Sequence, residues 1–112
     1  AEARDYGERA LELSQRLGNR FIEANAGHTL GYISHLTGDH QAAITCYRDA
    51  LELMNELGHR QNTAEVLDRL GDAFLATGDS GEARGSWEQA VAILDDQHHP
   101  GAQPIRVKLA RI

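Results

Sequence analysis

Cysteine is all but missing from this chain: Cys46 stands alone, which excludes an internal disulfide and any multi-cysteine metal knuckle, and it fits a reducing compartment better than a secreted one. Proline is nearly as scarce, with 2 residues in 112, so helices are favoured over a strand fold punctuated by proline. A basic surplus is also lacking. Seventeen Asp and Glu face 11 Lys and Arg, giving a formal charge of -6, whereas a domain built to hold a phosphate backbone presents excess Lys and Arg. No charged-then-apolar signal segment opens the chain, and no run approaches the roughly 18 apolar residues of a spanning helix. These absences together read as a soluble, cytoplasmic protein with no nucleic-acid or membrane partner. The first residue is Ala1, without Met and inside a helical pattern, which reads as a piece of a longer polypeptide; a processed or trimmed N-terminus is the alternative.

What is present is an internal repeat. Residues 30 to 57 recur at 70 to 97, a shift of 40, with Leu30-Gly31 matching Leu70-Gly71 and Thr37-Gly38-Asp39 matching Thr77-Gly78-Asp79. Ala43, Tyr47 and Ala50 match Ala83, Trp87 and Ala90 in the same register. Small residues, a turn and a large ring appear twice in one order, the signature of a repeat architecture.

Apolar residues spaced three and four apart predict an amphipathic helix over 3–17, carrying Ala3, Tyr6 or Gly7, Ala10, Leu11, Leu13, Ser14 and Leu17, with Gly18 as its stop. Helices follow over 20–36, 40–57, 60–76 and 80–95, with Gly58 as a second stop. Asp79 and Glu82 stand three apart, as a capping box requires. After His98-His99-Pro100-Gly101, a short terminal helix with Pro104 in its first turn is expected. Six helices joined by short links should lie antiparallel to their neighbours. The organisation expected is a single domain over 1–112: the second helix of a truncated repeat at 3–18, full repeats at 20–57 and 60–97, and a capping helix at 102–112. Each hairpin needs the next to finish burying its stripe, as in a solenoid.

Gly31 to Ala43 spans 12 residues, Ala43 to Tyr47 spans 4 and Tyr47 to Ala50 spans 3, and Gly71, Ala83, Trp87 and Ala90 keep the same intervals. With Phe74 in the second copy, this pattern resembles the tetratricopeptide repeat in its long, 40-residue form. The links Leu17-Gly18-Asn19-Arg20 and Leu57-Gly58-His59-Arg60 resemble that variant's helix connections; Gly7 stands where the first half-repeat should carry a ring. The resemblance implies an all-α, right-handed superhelix of stacked hairpins. It also implies Gly31, Ala43, Tyr47, Ala50, Gly71, Phe74, Ala83, Trp87 and Ala90 as repeat-packing positions. The segment Ala90-Val91-Ala92-Ile93-Leu94, followed by His98-His99-Pro100 and an arginine-containing helix, resembles the C-terminal arrays of large actinobacterial transcriptional activators with a nucleotide-switch domain. The array is also similar to those of cell-polarity adaptors and kinesin light chains. The function implied is protein or peptide binding, or intramolecular regulation, without catalysis and without a cofactor.

Residue chemistry gives little else. His28 and His35 lie seven apart on one helix, about 10.5 Å by helical rise, too far for one metal ion to reach both directly. Cys46 has no base on its face, His40 being six positions away, and no strand precedes a glycine-rich phosphate loop. The candidate partner surface is the solenoid's concave side, carrying Asn25, His28, Tyr32 and His35 from one first helix and Glu65, Asp68, Arg69, Asp72 and Leu75 from the next. Glu65, Asp68 and Asp72 against Arg69 predict a negative surface for a segment bearing Lys or Arg. The competing reading is a structural piece that dimerises through the apolar stripe of the N-terminal half repeat, Ala3, Ala10, Leu11 and Leu17.

Overall fold

The structure, a computed structural model, describes residues 2–112, with side chains from residue 4 onward. Ala1 lies outside the described residues, and so does the side chain of Ala3, one of the expected stripe positions. Among the described residues there are six helices, α1 (Glu2–Leu17), α2 (Arg20–Leu36), α3 (His40–Leu57), α4 (Arg60–Ala76), α5 (Ser80–Asp96) and α6 (Ala102–Ala110). Each packs on its neighbours in the chain, and beyond that α2 touches α4. The result is an all-α, solenoid-like stack of helix hairpins, as a tetratricopeptide-type superhelix requires.

Local chemistry repeats with the register. Asn19, Asp39 and Asp79 cap α2, α3 and α5, each side chain accepting a hydrogen bond from the amide three residues on, at 3.0, 3.2 and 3.1 Å. Each cap is worth about 1 kcal/mol. The capping box at α5 is one-sided: Asp79 accepts from the Glu82 amide, while the Glu82 side chain is left exposed. Gly18 and Gly58 end α1 and α3 with φ of 69° and 73°, the left-handed geometry that lets the next amides turn back onto the helix. At the corresponding point of the α5–α6 link stands His98, with φ 53°, the one non-glycine residue of positive φ among the described residues. Ion pairs also recur 40 residues apart, Arg20 with Glu56 and Arg60 with Asp96. All four side chains are at least half exposed, so each pair contributes well under about 1 kcal/mol.

The core is built on close approach at two glycines. Tyr47 lies on the backbone of Gly31 and Trp87 on that of Gly71, where an added Cβ would collide with either ring. Around them Ala43, Ile44, Ala50, Leu67, Leu70, Phe74, Ala83, Ala90 and Leu94 are buried in one cluster that continues into α6 through Ala102 and Ile105. Where the first half-repeat has Gly7 instead of a ring, Leu30 moves in, and a Cβ at Gly7 would stand 2.8 Å from Leu30 Cδ2.

Helix α1 corrects the expected stripe. Gly7 and Ser14 are the buried positions, and Ala10 and Leu11 are half-buried. Tyr6, Leu13 and Leu17 are 78%, 55% and 73% exposed. Periodicity marks both edges of this helix as apolar, and only contact with α2 decides which edge is covered. At the other end, α6 stops at Ala110, short of the expected 112, and carries Pro104 in its first turn, where the missing amide donor is not needed.

Candidate interaction surface

Because α2 and α4 touch, their outward residues form one surface. Arg69 from α4 stacks over the Tyr32 ring of α2, 4.3 Å from its centroid. His28, Thr29, Tyr32 and Arg69 then line a notch of about 120 Å³. That is well below the roughly 300 Å³ at which small-molecule sites begin, and it suits a single side chain of a docked segment. Asn25, Glu65 and Leu75 are exposed and unengaged in the core. A larger groove of about 290 Å³ lies between α1, α2 and α3, where Gly27 leaves room beside Cys46 and Leu11, and it collects none of the candidate partner residues.

His28, one of the residues lining the notch, is half-buried and edge-on to the Tyr47 ring at 5.9 Å, and its Nε2 is buried without a hydrogen-bond partner. Burial pushes its pKa below the ordinary histidine value, and Arg69 pushes the same way, with Glu65 opposing. His35 is lowered too, first by burial and then by His40, with Asp72 opposing and Arg69 adding. Here the structure pairs residues that helical spacing could not: the Thr37-Gly38-Asp39 turn brings His40 Nδ1 to 3.0 Å from His35 Nδ1. Among the described residues, no group of three His, Cys, Asp or Glu is placed to hold a metal ion. Burial, then Asp49, raises the Cys46 thiol pKa, which leaves it a poor nucleophile. Tyr47 is raised to about 12, first by burial, so it stays neutral within the core.

The histidine shifts give a pH dependence of definite sign. A histidine whose folded pKa is depressed holds fewer protons than the unfolded chain, so its stabilising effect is complete above the unfolded value and declines as pH falls below about 6.5. Thermal midpoints are therefore expected to be lower near about pH 5.5 than near about pH 7.5, and His28→Gln should remove part of that difference. Parallel scans of both proteins check this; an unchanged pH difference in the variant would place the sensitivity elsewhere.

The negative surface expected from Glu65, Asp68 and Asp72 needs correction. Lys108, arriving from α6, places its Nζ 2.8 Å from Asp68 Oδ1 and 2.9 Å from Asp72 Oδ1. Burial opposes its charge, but the hydrogen bonds and charges of Asp68 and Asp72 outweigh burial and raise its pKa. Lys108 thus engages two of the three carboxylates and offsets one of their two charges, Glu65 alone stays open, and the negative balance of the face is reduced rather than removed. Lys108 is the residue of this surface that the sequence reading missed. The available signal was its position 40 residues after Asp68, the repeat spacing itself.

No helix of the described residues is long and apolar enough to cross a membrane. A family model described as tetratricopeptide repeat matches residues 1–56 and again residues 23–96. No curated protein matches the chain.

Proposed function

The chain belongs to the tetratricopeptide repeat family, whose repeats are protein-interaction scaffolds without chemistry of their own, and from that premise we propose that the shared α2–α4 face docks a peptide segment of a protein partner. The observation that carries this reading is the notch of His28, Thr29, Tyr32 and Arg69, a side-chain-sized recess walled by a stacked guanidinium and phenol. Asn25 and His35 on α2, and Glu65 and Leu75 on α4, extend the same face as polar rim and apolar anchor.

We place the module in the cytoplasm, within a larger signalling or transcriptional regulator; the lone thiol of Cys46 supports the first and the likeness of residues 90–112 to activator arrays supports the second. The alternative reading is self-association. It is favoured by the exposed Tyr6, Leu13 and Leu17 on one edge of α1, apolar side chains of the kind that a second copy covers.

One experiment separates the two. Proteins captured by the wild-type chain are compared with those captured by Tyr32→Ala/Arg69→Ala and by Leu13→Ser/Leu17→Ser, while sedimentation records the oligomeric state of each. Docking at the α2–α4 face predicts a loss of partner of about tenfold or more in the first variant alone, as expected for removal of an aromatic and arginine hot spot. Loss of a dimer in the second variant, with the partner kept by the first, would instead favour self-association.

A further inference from the structure

Gly27 is a glycine that nothing crowds. Gly31 and Gly71 lie under rings and Gly7 meets Leu30, but a Cβ on Gly27 would find only ordinary contacts, 3.7 Å from Ala50 Cβ and 3.7 Å from the Cys46 carbonyl oxygen. Glycine inside a helix is a poor helix former, and here neither a positive φ nor a close approach asks for it. What it leaves is the groove of about 290 Å³ between α1, α2 and α3.

The repeat supplies an internal control. At the position 40 residues after Gly27 stands Leu67, which is 3% exposed and shares the main core with Ala90, while Leu51 and Ile93 pack against it. Ala90, Leu51 and Ile93 are the register partners of Ala50, Leu11 and Leu53, which line the groove in the first copy. One framework is therefore filled by a leucine in the second repeat and left open in the first. The charges change with the leucine. Glu23, Asp49 and Glu52 line the open groove, and their counterparts Thr63, Gln89 and Ala92 are all uncharged. Among the described residues these three carboxylates enter no ion pair, and Arg20, the cation of the lining, is engaged by Glu56.

An apolar trough with carboxylates on α2 and α3 fits a side chain that has a long apolar stem and a cationic head. Arginine matches best, because its guanidinium is weakly hydrated and its fork of donors serves more than one carboxylate. A volume of about 290 Å³ stands at the lower bound of small-molecule sites and suits side chains of a docked segment rather than a cofactor.

We propose that the groove between α1, α2 and α3 is a second docking site, which takes an arginine-bearing peptide segment of a partner protein. The arginine stem lies along Leu11, Ala50 and Leu53, and its guanidinium lies among Glu23, Asp49 and Glu52. The acidic residues alone would carry no such reading. What carries it is an opening that the fold closes elsewhere with leucine, at a glycine that packing does not require. His28, Tyr32 and Arg69 do not line this groove, so failure of either docking reading leaves the other standing.

The test uses the chain and, as probe, a fluorescein-labelled octapeptide built of alanine, serine and leucine around one central arginine. A second peptide carries citrulline there, which keeps the shape and loses the charge. The arginine peptide is expected to bind about tenfold more tightly than the citrulline peptide, and to weaken as salt rises. Gly27→Leu installs the residue of the second repeat, and Gly27→Ala adds only the uncrowded Cβ. Both should raise the thermal midpoint, by about 4 °C, while Gly27→Leu weakens the arginine peptide about tenfold or more. Loss of binding in a variant more stable than its parent does not come from unfolding. Glu23→Thr/Asp49→Gln/Glu52→Ala, again the residues of the second repeat, should bring the arginine peptide down to the citrulline level. Cys46, the single thiol, lines the groove, so bound peptide should slow its alkylation. Equal affinity for parent and Gly27→Leu, equal affinity of the two peptides, or alkylation unchanged by peptide overturns the proposal. So does a lowered midpoint in both Gly27 variants, which would make the glycine a packing requirement. Spermidine binding as tightly as the arginine peptide would give the groove to a free polyamine, and a dimer abolished by Gly27→Leu would give it to a second copy; either result overturns the proposal as well.

Discussion

Replacing Trp87 by alanine is expected to destabilise the fold by about 3–5 kcal/mol, the cost of deleting a large ring from a site that cannot collapse. Trp87 is 1% exposed and is the largest of the fully buried side chains. Its ring fills the space left by Gly71 and joins α5 to α4 through the bond from Nε1 to the Asp68 carbonyl. It also lies beside the Lys108 ammonium, so its loss loosens α6 as well. A domain of this size has about 5–15 kcal/mol in all, which makes the change about a fifth or more of the total. Denaturant titration followed by far-ultraviolet dichroism, which does not depend on the lost fluorophore, measures it. A loss under about 1 kcal/mol would show that the α4–α5 hairpin is held mainly by its alanine and leucine contacts rather than by the ring.

The places of Gly71 and Trp87 in the repeat register were legible before any coordinates, and so were most helix bounds, because the signals involved are local or repeated; that the ring rests on the glycine was seen only in the structure. Gly18 and Gly58 mark left-handed stops, Asp39 and Asp79 follow Thr-Gly turns as caps, and Gly31 with Tyr47 recurs as Gly71 with Trp87.

What could not be read belongs to contacts with no local signal. On α1 both edges are apolar, and periodicity alone does not say that Leu30 closes on Gly7 and leaves Tyr6, Leu13 and Leu17 outside. The His35 and His40 rings meet only because a turn folds one helix end back on the next, whereas wheel geometry applies within a single helix. The charge of the α2–α4 face was summed over residues of those two helices, and a cation from α6, 36 positions beyond Asp72, does not enter such a sum. The negative charge expected of that face therefore keeps its sign on the folded surface but is smaller than the two helices alone give.

A methyl group added at Gly71 is expected to be destabilising, against the rule that alanine favours a helix interior over glycine by about 1 kcal/mol. The new Cβ would stand 2.5 Å from Trp87 Cδ1 and 2.7 Å from Cε2, with Nε1 closer still. Neither neighbour can yield: the indole is enclosed on every side, and Gly71 lies mid-helix with its backbone fixed by hydrogen bonds. Overpacking of this kind costs about 1–3 kcal/mol, and moving the ring also breaks the bond to the Asp68 carbonyl, so the helix gain is outweighed. The decisive measurement is the cycle. In the Trp87→Ala protein the obstacle is gone, and the same Gly71→Ala change should become neutral or stabilising by up to about 1 kcal/mol. Reversal of sign between the two backgrounds implies a coupling of about 2–4 kcal/mol, far outside the roughly 0.5 kcal/mol within which independent sites add. Denaturation of the wild type, both single variants and the double variant supplies all four corners. Additivity would mean that the ring does not rest on Gly71, and the glycine repeated at positions 31 and 71 would then need a different physical reason.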